Sequence, residues 1–275
     1  MSMNQSIQDL ADANLLEAIR EHARWQEPCE CIEETGVLMM AGANAFPGVF
    51  RNCVARTDAS VPAPEVLARA QAFFSQRGRG FSVLVRGSRD QDMAAALQVA
   101  GLAPLADSPC MLVDAPVAEP TIPAGIRIER FGEESHVQHA VQINAEAYEA
   151  LKLPAAETRV FFGRPAALLS PRVIGFVAYR DDVPVSTALT ILSGEGAGVY
   201  WVGTTSAARR TGLGEVCTRL ATNAGFAHGA RVVTLQASPF GEPIYQRLGY
   251  RTYDRLLRFR YPAPAPSNAQ GRAPP

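Results

Sequence analysis

Val199-Tyr200-Trp201-Val202 leads through Gly203 and Thr204 to Arg209-Arg210-Thr211-Gly212-Leu213-Gly214, and a helical pattern follows. An apolar strand, a glycine-containing turn and a helix start, in that order, build a phosphate cradle. Glycine lets the backbone come close to an anion, and the first N–H groups of a helix have no partner inside it. The helix dipole adds partial positive charge at that end. Arg209 and Arg210 add full charge. A pyrophosphate suits this turn.

Reading outward, the periodicity predicts a helix over 213–228 with Val216, Leu220, Ala224 and Ala227 on its buried side. A strand over 232–236 follows. Ser238-Pro239-Phe240-Gly241-Glu242-Pro243-Ile244-Tyr245-Gln246-Arg247-Leu248-Gly249-Tyr250 then reads as a loop, a short helix and a glycine stop. A last pair of strands ends at Leu257-Arg258-Phe259-Arg260-Tyr261. Upstream, strands are expected over 126–130, 173–179, 185–192 and 198–204, with turns at Asp181-Asp182 and Gly194-Glu195-Gly196. Helices are expected over 133–148 and near 155–162.

On these residues the chain resembles the GNAT superfamily of acyl-CoA-dependent N-acyltransferases. The superfamily's phosphate loop, Gln/Arg-x-x-Gly-x-Gly/Ala, is matched by Arg209, Gly212 and Gly214. Its later signature is matched by Ile244-Tyr245 and Leu248-Gly249-Tyr250, with Ser238 where Asn is common and Gly241 where Ala is common. The resemblance covers residues 121–261. It implies an α/β fold with a mixed, mostly antiparallel sheet flanked by helices, and acetyl-CoA as cosubstrate without a metal. Val202, Gly203 and Thr204 would pair with pantetheine. Arg209 and the N–H groups of Arg210, Thr211, Gly212, Leu213, Gly214 and Glu215 would meet the pyrophosphate, and Ser238 would lie beside CoA. Tyr245 would be the general acid at the departing thiolate, since a phenol is protonated at neutral pH. Glu146, on the helix expected to wall the acceptor cleft, is the candidate base, with Glu195 and Glu149 as further options. Tyr148, Tyr200 and Trp201 either line that cleft or fill the core.

The 275 residues divide into two related halves. In the second, Phe226-Ala227-His228-Gly229 precedes the strand 232–236, then Ser238, Leu248-Gly249-Tyr250 and Leu257-Arg258-Phe259. In the first, Phe74-Ser75-Gln76-Arg77-Gly78 precedes Phe81-Ser82-Val83-Leu84-Val85, then Ser88, Ala100-Gly101-Leu102 and Cys110-Met111-Leu112-Val113. A hairpin is expected over 36–56. The first copy lacks a phosphate turn: Thr57-Asp58-Ala59-Ser60-Val61-Pro62-Ala63-Pro64 has no glycine, carries an acid and loses backbone donors at its prolines. Arg77-Gly78-Arg79-Gly80 stands at a helix C-terminus, where the dipole has the wrong sign for an anion. Expected domains are a degenerate GNAT-like unit, 1–118, and an acetyltransferase unit, 119–262, followed by a Pro- and Ala-rich tail, 263–275, without fixed structure. The first unit is expected to pack on the second and shape its acceptor cleft.

A formal charge of -1 and 19% charged residues suit neither a nucleic-acid footprint nor an anionic membrane surface. No apolar run is long enough to span a bilayer and no secretory signal is visible, so a cytoplasmic protein, monomer or homodimer, is expected. Cys29-Glu30-Cys31 lacks a second pair or a histidine cluster to complete a zinc site. Two other readings stay open. One is a CoA-binding regulator without turnover. The other is a dinucleotide enzyme, for which Gly212-Leu213-Gly214 lacks the third glycine, with Cys217 in its place, and the next strand ends in Gln236 rather than an acid.

Overall fold

A computed structural model describes residues 6–46, 48, 50–238 and 241–263. The first half runs α1 (Ile7–Arg24), β1 (Glu30–Glu34), β2 (Val37–Ala41), β3 (Asn52–Arg56), α2 (Ala63–Ser75), β4 (Phe81–Arg86), α3 (Gln91–Val99) and β5 (Ala106–Val113). The second runs β6 (Ile126–Arg130), α4 (Glu134–Ala147), α5 (Ala155–Phe161), β7 (Val173–Arg180), β8 (Val183–Ser193), β9 (Gly196–Thr204), α6 (Leu213–Ala227), β10 (Val232–Gln236), α7 (Glu242–Arg247) and β11 (Arg251–Tyr261). Each half thus repeats three strands, a helix, a strand, a helix and a strand. All strands join one eleven-stranded sheet in the order β1-β2-β3-β4-β11-β5-β10-β9-β8-β7-β6. Among the described residues only β3–β4 and β9–β10 are parallel. The fold is a mixed α/β sheet flanked by helices in a tandem architecture. Residues 264–275, most of the expected tail, lie outside the described residues, as do Pro239 and Phe240.

The last strands trade places. The pair of strands expected at the C-terminal end is one strand, β11, which continues through an irregularity between Thr252 and Asp254. It lies between β4 and β5, both from the first half. In return, β5 pairs with β10 of the second half. Partners on both sides explain why the chain stays extended instead of turning back on itself.

Helix α1 went unforeseen. Its start carries a capping box: Ser6 Oγ accepts from Asp9 N, and the Asp9 carboxylate accepts from Ser6 N. Its apolar period is obscured because Asp12, Asn14, Glu21 and His22 are buried alongside Leu15, Ala18 and Ile19. Leu15 and Ile19 share a core with Leu38, Met40, Cys53, Leu84 and Leu256. Ala18, one helical face away, shares another with Leu189, Ile191 and Tyr200. Strands from both ends of the sheet meet one helix, so the sheet curves around it. The opposite face is covered by α2 and α3 in the first half and by α6 in the second.

The buried face of α6 differs from the expected one. Leu213, Cys217, Ala221 and Gly225 face the sheet with Val216, while Leu220 and Ala224 are half-buried and Ala227 is exposed. The reason is close approach. A Cβ on Gly225 would come within 2.9 Å of Val233 Cγ2 and 3.0 Å of Ala197 Cβ. Thr218 and Thr222 are tolerated in the core because each bonds the carbonyl four residues earlier, Gly214 O and Thr218 O, both at 2.7 Å.

Candidate functional site

The site begins where β9 leaves β10. These strands pair only at Gly196, Ala197 and Gly198, opposite Val232, Val233 and Thr234. Beyond Gly198, β9 bulges: Leu189 of β8 faces Tyr200, but Thr187 faces Gly203, so β9 carries one extra residue. Trp201, within the bulge, takes the left-handed backbone region at φ 52. A bulge bends its strand and raises its twist. Residues 199–204, including Val202, Gly203 and Thr204, therefore turn an edge unpaired by β10 toward a gap. On the other edge, Ser186 Oγ donates to Gly203 O at 3.0 Å and lies 2.9 Å from Thr204 Oγ1. Gly203 is tightly backed by α4: a Cβ there would overlap Asn144 Oδ1.

The turn after β9 brings the backbone donors together. Gly212, at φ 82, stands immediately before α6, and Arg210 is at φ 64. A left-handed residue at this point favours glycine. The first α6 bond runs from Val216 N to Gly212 O at 3.0 Å. Among the described residues, the N–H groups of Arg210, Thr211, Gly212, Leu213, Gly214 and Glu215 donate to no protein acceptor. Thr211 Oγ1 donates to Ala208 O at 2.7 Å and holds the turn. Arg209 and Arg210 are exposed. The Glu215 side chain is engaged by Arg219 at 2.9 Å. Six unbonded donors thus lie at the positive end of a fifteen-residue helix, beside two arginines, an arrangement whose chemistry suits an anion.

Tyr245 sits on α7, half-buried, its ring centroid 6.0 Å from that of Tyr250. Burial pushes its phenol up to about 12. It lies close enough to Tyr148, at the end of α4, for a charge on Tyr245 to raise the Tyr148 phenol further. Ser238 turns back on its own loop: its Oγ accepts from Gly241 N at 3.1 Å. Glu146 is committed to a structural contact. Its Oε1 accepts from both Ser206 N and Ser206 Oγ at 2.6 Å, and these bonds hold the carboxyl below its ordinary value. Glu195 pairs with Arg231 at 3.2 Å, before the start of β9 and at the opposite end of that strand from the bulge. Glu149 is exposed.

An aromatic cluster closes the α1 side. Trp201 lies 5.0 Å from Tyr148, 4.9 Å from Phe161 and 4.7 Å from Phe162, between ring centroids. Its Nε1 donates to His22 Nε2 of α1 at 2.9 Å. Tyr200 OH donates to Asn14 Oδ1, also of α1, at 2.9 Å. Asn14 in turn donates to Ile191 O at 2.9 Å and Ser193 Oγ at 2.8 Å. From the first half's β2–β3 loop, Arg51 donates to Glu157 O of α5 at 2.6 Å, and Asn44 to Glu157 Oε2 at 2.9 Å. Tyr148, Tyr200 and Trp201, which the sequence leaves open between cleft and core, pack together here with His22, Asn14 and Arg51, which no local sequence pattern marks.

The equivalent place in the first half is closed. There β3 pairs with β4 through Cys53, Val54 and Ala55, up to Arg56 at the strand end. Arg56, 2% exposed, fills the space beyond. It donates to Asp90 at 3.1 Å, to both Asp92 oxygens at 2.7 and 2.8 Å, and to Val61 O at 3.1 Å. Among the described residues this guanidinium is fully matched to carboxylates and carbonyls, so it offers no free charge to an anion. Among the described residues, no group of three His, Cys, Asp or Glu side chains is arranged to hold a metal ion, and no helix is long and apolar enough to cross a membrane.

No protein-family model matches the chain, and no curated protein matches it in sequence. Solved structures do match. A GCN5-related N-acetyltransferase from Kribbella flavida superposes with a TM-score of 0.71 at 21% identity, over 94% of this chain and 97% of that one. A tandem GNAT protein from the clavulanic acid biosynthesis pathway gives 0.65 at 12% identity, over 97% of both chains. A GCN5-related N-acetyltransferase from Sphaerobacter thermophilus gives 0.61 at 13% identity, over 93% and 94%. With the strand exchange, the splayed β9–β10 pair and the duplicated order of elements, the chain has the fold of the GCN5-related N-acetyltransferases in its tandem form.

Proposed function

We propose that the second half transfers an acetyl group from acetyl-CoA to an amine. The observation that carries this reading is one juxtaposition: the gap between β9 and β10 opens directly onto the free N–H groups at the start of α6. The pyrophosphate would accept from those N–H groups and the pantetheine would lie along residues 202–204. Binding both reactants there supplies much of the rate by proximity. A neutral amine nitrogen attacks the thioester carbonyl carbon. The C–S bond then breaks with its electron pair on sulfur, Tyr245 gives that sulfur its phenolic proton, and the nitrogen loses a proton to water. Solvent reprotonates Tyr245. With its phenol pushed up to about 12, Tyr245 stays a proton donor across the neutral range.

Glu146 fits a positioning role better than that of base. A carboxylate held low by Ser206 anchors the chain between β9 and the phosphate turn. The first half, whose own gap is filled by Arg56, serves as a wall: α1 and the β2–β3 loop brace Tyr200, Trp201 and α5.

Calorimetric titration with acetyl-CoA, followed by an amine screen for CoA release, tests the reading. Micromolar binding and amine-dependent release are expected. Equal binding of CoA and acetyl-CoA with no turnover on any amine would favour a non-catalytic CoA-binding protein. No binding would remove the reading.

A further inference from the structure

We propose that the acceptor amine also bears a carboxylate, gripped by Arg258 with Arg260 beside it on β11; this rests on the transferase reading above. Leu257 and Phe259 point into the α2–α3 core, whereas Leu256 points into the core around α1. Alternation along a strand therefore puts Arg258 and Arg260 on the α1 face of the sheet. Gln236, the last residue of β10, lies on that same face, because Val233 and Leu235 point into the α6 core. With α6 and its anion-binding end on one side of the gap, the amine has to approach the thioester from the other, the α1 side.

Arg258 lies further along in the direction in which the gap opens. Cys110 of β5 pairs with Gln236, and Ala106, four residues away on β5, pairs with Arg258. Four residues of strand span about 13 Å and two strand steps add about 10 Å sideways. That separation is of the scale of one extended arginine side chain together with a small amino acid or a dipeptide.

The chemistry of Arg258 is that of a waiting anion site. It is half-buried, flanked by Leu84 and Ala106. Its Nε is buried without a hydrogen-bond partner, and among the described residues neither Arg258 nor Arg260 forms an ion pair. Arg56, Arg86 and Arg89, by contrast, are all matched to aspartates. Burial and the neighbouring Arg260 both push the Arg258 guanidinium below its ordinary value, a cost that a bound anion would relieve. A guanidinium whose terminal nitrogens bond no acceptor among the described residues matches a carboxylate in two parallel bonds.

The test uses the full chain, acetyl-CoA, and matched acceptor pairs: amino acids and dipeptides with their C-terminal amides. The expected result is a preference in kcat/KM of tenfold or more for the acid of each productive pair, carried by KM rather than kcat. In Arg258→Met, which keeps the buried stem, the preference falls to near parity; in Arg258→Lys part of it returns. The acetyl-CoA affinity of each variant, measured alongside, shows whether it is folded. Amides used as well as their acids, or a preference that survives Arg258→Met, overturns the inference and leaves the transferase reading standing. If acetyl-CoA binds but no pair turns over, N-acetylamino acids are titrated into the CoA-saturated protein, and the absence of Arg258-dependent binding likewise overturns it. Failure of the wild type to bind acetyl-CoA defeats the transferase reading itself.

Discussion

His22 and Tyr245 show how burial sets a residue's chemistry. His22 is fully buried, its Nδ1 on Ala18 O and its Nε2 accepting from Trp201. That pattern requires the neutral ring with the proton on Nδ1. Desolvation pushes its pKa down to about 3 from an ordinary 6.5. The folded state refuses a proton that the unfolded state takes. The contribution to stability is therefore complete above about pH 6.5 and drains away as pH falls toward 3, at up to about 1.4 kcal/mol per unit. Thermal melting at pH 7 and pH 5 should show a steeper loss for the wild type than for His22→Leu; equal slopes would reject this account. For Tyr245→Phe, a kcat roughly 10²-fold lower or more, with acetyl-CoA affinity little changed, is the expected result of steady-state kinetics and calorimetry. Tyr245 could be picked out in the sequence because its neighbours Leu248-Gly249-Tyr250 form a local motif. His22 could not, since its partner Trp201 is 179 positions away.

At the level of elements, the turn between β9 and α6 was legible because all its parts are contiguous: strand, glycine at φ 82, helix start. Gly212→Asp combines a strained backbone with a negative charge among the free donors. It should abolish measurable acetyl-CoA binding while the far-ultraviolet circular dichroism stays that of the wild type. Retained binding would move the pyrophosphate elsewhere. The bulge in β9 was not legible, since an extra residue in a ladder is defined only against the neighbouring strand. Gly203→Ala tests the packing behind it. A methyl group there overlaps the buried Asn144 carboxamide, so the melting temperature should fall by several degrees. The face of α6 was misread for a related reason. Hydrophobicity ranks Leu220 above Gly225, but contact distance decides which side meets the sheet, and the smallest side chain allows the closest approach.

On the scale of the whole molecule, the strand exchange makes the halves interdependent. All of β11's pairings are with β4 and β5, and β5 supplies one edge of β10. A fragment of residues 119–263 would leave β11 without partners, expose an edge of β10 and strip Tyr200 and Trp201 of Asn14 and His22. Such a fragment should elute as aggregate or show no cooperative melt; a soluble, fully active fragment would show the first half to be dispensable. The repeat, and the helix–strand–helix order that closes each half, could be read from the chain, because they are written in contiguous residues such as 213–250 and 63–102. What only the tertiary structure decided is everything set by partners distant in sequence: that β11 crosses to the other half, that α1 with its buried Asn14 and His22 sits inside the curve of the sheet, that Arg56 is buried against Asp90 and Asp92, and that Arg258 has no counter-charge among the described residues. Local propensity acts over a few residues, while hydrogen-bond partners and buried charges are assigned by the chain's return to itself hundreds of positions later.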